Sequence, residues 1–389
     1  MDFNDVTNQL KPYPMEELAV IRQNLVSAGQ KVYDFGTGDP LIPTWQPIMQ
    51  ALKDSITAIS QYPSIKGNAE LRQSFWGYCQ RRFQLTAEKG LDILPSNGSK
   101  EAVFHVALSL IGRAGGRNII MYPNPGYPVY RSSALFAGGI PQPIDLKEED
   151  GFLIKPWDQP RAVQKQTAAL WINYPHNPTG AMIDRAHLEK IIDWCHENNV
   201  ILLSDDCYID IYDPSLDQAG QRPLNPLEIS QSKIVSFMSL SKRSGITGYR
   251  SGFMLGDKDL ILGMQRARAN FGVGTPQFIQ QASVVAWQDD SHVLERRKIF
   301  AERMAIAYDH MADLKLIDEK PSATFYLWCR VPDQGDDIAF CKDLAKHGVI
   351  ASPSQWLSEG IRGYFRLALV PELEDIEAAM KIIRTHVQS

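Results

Sequence analysis

An α/β fold with a mostly parallel sheet covered by helices, followed by a smaller α+β unit, is what this sequence predicts. Three observations predict it. Short apolar runs recur between stretches of helical periodicity, the pattern of strands joined by crossover helices. A polar cluster follows each of four such runs, at the edge where parallel sheets hold ligands. The pattern then changes in the C-terminal part of the chain. A length of 389 residues suits two domains of roughly 100–200 residues each.

Taken in order, Pro12 to Gln30 reads as one short helix and Glu101 to Ile111 as a second. Ile119 to Tyr122 is the first buried strand, and Asn-Pro-Gly-Tyr follows it. Ala168 to Asn173 is the next, followed by Tyr-Pro-His-Asn-Pro-Thr-Gly. A helix over Leu188 to Asn198 leads to the strand Val200 to Leu203, which Ser-Asp-Asp-Cys-Tyr follows. Ile234 to Phe237 is the fourth, and Ser-Leu-Ser-Lys comes after it. One long helix is expected over about Val284 to Leu314. Thr324 to Arg330 and Tyr364 to Val370 read as strands, and Glu372 to His386 as a closing helix. The expected division is an N-terminal arm that joins the small domain (1–44), a large ligand-binding domain (45–285) and a small C-terminal domain (286–389). No repeat or low-complexity linker interrupts it.

Composition narrows the function. The 44% of apolar residues can fill a large core. A net charge of −5 with interspersed signs leaves no footprint for nucleic acid or acidic membranes. Five scattered cysteines without CxxC spacing argue against a disulfide framework or a metal site and for a reducing, cytoplasmic setting. The opening Met-Asp-Phe-Asn-Asp lacks the features of a signal peptide. No apolar run is long enough to span a bilayer.

Residues 239 to 250, Ser-Leu-Ser-Lys-Arg-Ser-Gly-Ile-Thr-Gly-Tyr-Arg, carry the most chemistry. Lys242 is expected in a loop of small residues just after a buried strand. Partial desolvation there lowers its pKa and makes the neutral amine a nucleophile toward an aldehyde. The serines and Arg250 offer hydroxyls and a planar fork to a phosphate. An aldehyde and a phosphate in one ligand describe pyridoxal 5'-phosphate (PLP). A solvated loop with a stray lysine would explain this run alone, so the other clusters matter.

PLP chemistry needs a protonated ring nitrogen, which a buried carboxylate stabilises. Asp205 ends the Val200–Leu203 strand and suits that role, while alternation turns Asp206 the other way. Tyr208 and Asn177 can donate to the ring's phenolic oxygen. The Asn177–Pro178 bond is a candidate for a cis peptide. Gly98, Ser99 and Lys100 open a helix, where backbone N–H groups favour an anion; Ser239, Ser241 and Arg250 would complete the cradle. Tyr127 can stack on the ring, with Tyr130 the structural competitor. Trp171 and Trp194 read as core. Arg366 stands in the apolar run Tyr364–Leu369, where an unpaired charge is costly and a substrate carboxylate would pair with it. An outward-facing arginine on a half-exposed strand is the alternative.

Together these segments resemble the fold type I, class I/II PLP-dependent aminotransferases. The resemblance runs from Asp34-Phe-Gly-Thr-Gly-Asp-Pro40 to Arg366, through Tyr62-Pro63, Gly67, Glu70-Leu-Arg72, Asn97-Gly-Ser-Lys-Glu101, Tyr122-Pro-Asn-Pro-Gly-Tyr127, Asn173-Tyr-Pro-His-Asn-Pro-Thr-Gly180 and Ser204-Asp-Asp-Cys-Tyr208. It implies that Lys242 forms the Schiff base and shuttles protons, that Asp205 pairs with the pyridinium, that Tyr208 and Asn177 bind O3' and that Tyr127 stacks. It puts Gly98, Ser99, Lys100, Ser239 and Arg250 at the phosphate, and Arg366 on the substrate α-carboxylate with Gly38 and Asn177 beside it. It implies a homodimer in which Tyr62 reaches the neighbouring subunit's phosphate. Asp206 departs from the family's usual glutamate.

Within the family, Lys11-Pro-Tyr-Pro-Met-Glu-Glu-Leu18 and Leu94-Pro-Ser-Asn-Gly-Ser-Lys-Glu-Ala-Val-Phe104 are similar to the proteobacterial N-succinyl-LL-diaminopimelate aminotransferases of lysine biosynthesis. That similarity implies a donor with a distal anion, which Lys100 could read, and 2-oxoglutarate as acceptor. An aspartate or broad-range aminotransferase and a PLP-dependent C–S lyase share most of these residues. A transcription regulator with an aminotransferase-like domain would need a basic winged helix ahead of the first motif, where only the short helix is expected. A nicotinamide dehydrogenase would need GxGxxG after a strand.

Overall fold

The structure is a computed structural model that describes residues 4–10, 14–87, 90–112 and 116–388. Positions 11–13 of the Lys11–Leu18 stretch and residues 1–3 lie outside the described residues. Ahead of the first strand stands the expected helix, Pro14–Ser27, and before it a further short one, Asp5–Gln9.

A short strand, β1 (Tyr33–Asp34), precedes the large sheet. That sheet contains β2 (Leu91–Ser96), β3 (Ile119–Asn124), β4 (Ile140–Asp145), β5 (Thr167–Ile172), β6 (Ile201–Asp205), β7 (Ile234–Ser239) and β8 (Gly252–Asp257). Their order is β2-β8-β7-β6-β5-β3-β4. All pairs are parallel except those made by β8, which runs antiparallel to β7 and β2. The central runs are mostly apolar because both faces of the sheet are covered. Alternate residues feed opposite cores. Leu170, Leu202 and Ile234 join one apolar cluster, while Trp171, Leu203 and Val235 join another.

Three strands of this sheet, β2, β4 and β8, were not among those expected. β4 lies at the sheet edge and carries Pro141 and Pro143, which an edge tolerates. β8 holds Gly252 and Gly256. A Cβ there would stand 2.4 Å from the Met238 carbonyl oxygen and 2.2 Å from that of Ile234. These glycines permit close backbone approach and also hide the strand pattern.

The expected long helix is two, Gln277–Gln288 and Ser291–Asp313. Asp289 breaks it. Its carboxylate accepts from the His292 N–H at 3.0 Å and from the Ser291 hydroxyl, so a capping side chain replaces the helical ladder. The C-terminal strands are β9 (Tyr326–Arg330), β10 (Val349–Ile350), β11 (Ser352–Pro353) and β12 (Tyr364–Ala368), and helix Leu373–Gln388 ends the chain. β11, β12 and β9 form an antiparallel sheet, and β10 pairs in parallel with β1. Here a third apolar cluster gathers Phe300, Phe325, Phe365, Leu367 and Ile376. Phe35 from the N-terminal segment and Tyr208 from beyond β6 also enter it. Among the described residues, no helix is long and apolar enough to cross a membrane.

Candidate active site

β3, β5, β6 and β7 end on one edge of the large sheet, at Asn124, Ile172, Asp205 and Ser239. Because β8 runs the opposite way, its start just after Arg250 comes to the same edge. A cavity of about 330 Å³ opens there. Its wall includes Gly38, Ser99, Lys100, Tyr127, Asn177, Asp205, Tyr208, Ser239, Lys242, Arg250 and Arg366.

Asp205 is 4% exposed. Its Oδ2 accepts from the Tyr130 hydroxyl at 2.9 Å, and its backbone oxygen accepts from Asn173 Nδ2 at 2.6 Å. Burial pushes its carboxyl above the ordinary range, which a cationic partner would reverse. Asp206 turns away from the cavity. It accepts from Ser204, Ser236 and Asn225, and burial pushes it up to about 8.

Lys242 is not in a loop. It sits on the one-turn helix Leu240–Arg243, which Ser239 caps by accepting from the Ser241 N–H at 3.1 Å. Its Nζ donates to the Gly38 carbonyl. Burial lowers the amine to about 8; the nearby Cys207 and Asp39 oppose this, while Arg366 and Arg250 add to it.

Two regions of positive charge flank this centre. At one, Ser99 and Lys100 occupy the first turn of helix Ser99–Leu110, whose N-terminus favours an anion. Arg250 approaches the same turn and donates to the carbonyls of Thr247 at 2.7 Å and Asn97 at 3.3 Å. Gly98 does not line the cavity. Its φ is +78°, and a Cβ there would lie 2.4 Å from Arg250 Nη2, so glycine is needed to admit that arginine. At the other region, Arg366 is 5% exposed. It donates to Asn177 Oδ1 at 2.9 Å and to the Gly36 carbonyl at 2.7 Å. Its Nε is buried without a partner, and among the described residues no carboxylate pairs with it. The arginine therefore faces inward.

Tyr208 is buried and shares a 2.7 Å hydrogen bond with the Tyr326 hydroxyl. Tyr127 lies on the wall, with Tyr130 edge-on behind it at 5.7 Å. The Asn177–Pro178 bond is cis. Of the predicted set, Gly98 sits just behind the wall, and Tyr62 stands away from the cavity, fully exposed. Sequence reasoning missed Tyr326, Cys207, Asp39 and Leu357 on the wall. Gly38 carried the one signal for Tyr326, since a Cβ there would meet its hydroxyl at 2.2 Å.

The arrangement suits PLP. It offers an anion seat at a helix start, a buried carboxylate for a ring cation, a poised amine and aromatic walls. The buried, unpartnered Nε of Arg366 leaves capacity for a second anion.

Comparison with known proteins agrees. The profile of the family described as "Aminotransferase class I and II" matches residues 30–383. The LL-diaminopimelate aminotransferase of Aquifex aeolicus is 34% identical over 388 residues, covering 98% of each chain. An aminotransferase from Neisseria meningitidis of known structure superposes with a TM-score of 0.88 at 30% identity, over 98% of this chain and 100% of that one. A probable N-succinyldiaminopimelate aminotransferase from Thermus thermophilus has a TM-score of 0.86 at 24% identity, over 95% and 99% of the two chains, and so shares the fold.

Proposed function

Because the chain belongs to the class I and II aminotransferases, and so is a PLP-dependent enzyme moving an amino group between small amino and 2-oxo acids, we propose its substrates and the roles of its site residues. The amino donor is LL-diaminopimelate or its N-succinyl form, both of which carry an anion far from the reacting carbon, and 2-oxoglutarate is the acceptor. This would place the enzyme in lysine biosynthesis. The observation that carries the reading is the exposed Lys100 on the cavity wall, opposite in chemistry to a distal carboxylate. The name of the Aquifex relative supports it.

Bound PLP supplies an aldehyde that condenses with amines and a ring that accepts the electrons released at the substrate Cα. This chain's residues supply the rest. Ser99, Ser239 and Arg250 hold the phosphate, with Lys100 at the edge of that cradle and Gly98 giving Arg250 its place. Asp205, itself held by Tyr130, keeps the ring nitrogen protonated. Tyr208 and Asn177 donate to the phenolic oxygen, and Tyr127 covers one face. Arg366 takes the α-carboxylate in two parallel hydrogen bonds, beside Gly38 and Asn177. Lys242 Nζ, neutral above pH about 8, would take the proton from the substrate Cα as general base and deliver it to the cofactor's aldehyde carbon, C4', as general acid. The exposed Tyr62 supports a homodimer in which it reaches the cavity of the second copy. The domain limits 1–44, 45–285 and 286–389 belong to the same reading, as the sharing of one core by Phe35 and the C-terminal elements supports. Five free cysteines support a reducing, cytoplasmic setting.

The test is glutamate formation from 2-oxoglutarate by PLP-loaded protein, with LL-diaminopimelate, its N-succinyl form, aspartate, an aromatic amino acid and alanine as donors. The long acidic donors should lead. Lys100→Ala should lower their kcat/KM by about tenfold or more relative to alanine, the scale of one lost charge contact. Aspartate or aromatics in the lead would instead make this a general aminotransferase. Pyruvate or ammonia released without glutamate would make it a lyase.

A further inference from the structure

Away from the cavity, two helices of the C-terminal unit end side by side. Helix Asp337–Lys346 carries Asp343 in its last turn and has His347 as its C-cap residue. Helix Leu373–Gln388 carries His386 in its last turn. Ligand atoms of these three residues all lie within 4.8 Å of one another. Asp343 Oδ2 stands 3.4 Å from His386 Nε2. Metal–ligand bonds of about 2.0–2.1 Å in a tetrahedron place two ligand atoms about 3.3 Å apart, so this pair already has the spacing of one tetrahedral edge.

The surroundings support a cation. Both helices bring the negative ends of their dipoles to it. Lys346 grips the other oxygen of Asp343 at 2.7 Å, which orients the carboxylate and leaves Oδ2 turned to the histidine, as outer partners of metal ligands do. The His386 ring is braced by Phe340 at 5.6 Å. A surface cavity beside the histidines, lined also by Gln30, Lys381 and Thr385, leaves room for water to complete the coordination. Two imidazoles and one carboxylate suit a borderline transition metal and not calcium or magnesium, which prefer oxygen.

We propose that Asp343, His347 and His386 form a binding site for a divalent transition metal ion, Zn²⁺ in the first instance, that clips the last helix to helix Asp337–Lys346. The clip lies outside the catalytic cavity and ties down the end of the chain.

The experiment is calorimetric titration of metal-free, PLP-loaded protein with Zn²⁺, repeated on His347→Ala and His386→Ala. The wild type should bind one Zn²⁺ per chain at this site and gain a few degrees in Tm. Each substitution should weaken that binding at least about tenfold and abolish the Tm gain, and Mg²⁺ should not compete. His347 is exposed, so its removal leaves the fold intact and keeps the test interpretable even if His386→Ala loosens the helix. No Zn²⁺ uptake by the wild type, or uptake that survives His347→Ala, overturns the proposal.

Discussion

Lys242 and Arg243 are neighbours on one helical turn, yet they enter two buried regions of opposite character. Arg243 leaves the cavity and is fully engaged. It donates to Asp210 at 3.0 Å, to the Ala286 and Asp289 carbonyls and to Asp290. Asp210 also accepts from Arg82 and Tyr78 and lies 3.7 Å from Arg297. Burial alone would raise its carboxyl, but Arg82, Arg243 and Arg297 outweigh that and hold it at about 2. On the Lys242 side the charges are kept short of partners. The amine donates to a carbonyl, and among the described residues no carboxylate pairs with Arg366. A buried charge with its counter-charge in place stabilises the fold, whereas one without it stores affinity for a ligand.

The sharpest way to break this comparison is to truncate each side. Lys242→Ala should lower kcat by more than about 10³-fold, because base, acid and nucleophile go together, while urea unfolding stays at the wild-type midpoint. Steady-state turnover near wild type would remove Lys242 from the mechanism. Asp210→Asn should act the other way, costing about 3–5 kcal/mol of stability by leaving buried arginines uncompensated. If its denaturation curve matches wild type, the Asp210 cluster does not hold the fold. The two regions should also separate on a pH axis. A lowered amine is protonated below about 8 and neutral above it. The rate at which cofactor-free protein captures PLP should therefore rise about tenfold per pH unit up to pH 8 and then level. A rate flat from pH 6 to 9 would place the amine's pKa elsewhere. The Asp210 contribution to stability is full above pH about 4 and is lost only as pH falls through about 2, so it should not move in that window.

Most of the site was legible because its residues follow buried strands, and a strand's end is visible as a change from apolar to polar residues. Asp205 and Ser239 are such cases. The inward course of Arg366 was undecidable from its own segment, because a half-exposed strand has the same pattern. Only the packing of β12 against β9 and β11, with Asn177 across the gap, decides it. Tyr326 was invisible for a similar reason, being one aromatic among several in an apolar strand. Lys242 was read in a loop because a four-residue turn is too short to show periodicity. The antiparallel β8 escaped because glycines that serve close approach look like turn residues.

The proposed carboxylate clamp also has a history within each synthesis of the chain. Arg366 donates to Gly36, 330 residues away, and Lys242 to Gly38, 204 residues away. Such separations make the site a late product of folding, since distant segments must be brought together before their contacts reward the ordering. A chain still emerging from the ribosome can complete the β2–β8 sheet well before residue 366 exists. The cavity is therefore completed only once segments far apart in the sequence have met, Gly36 and Gly38 with Arg366 and Lys242.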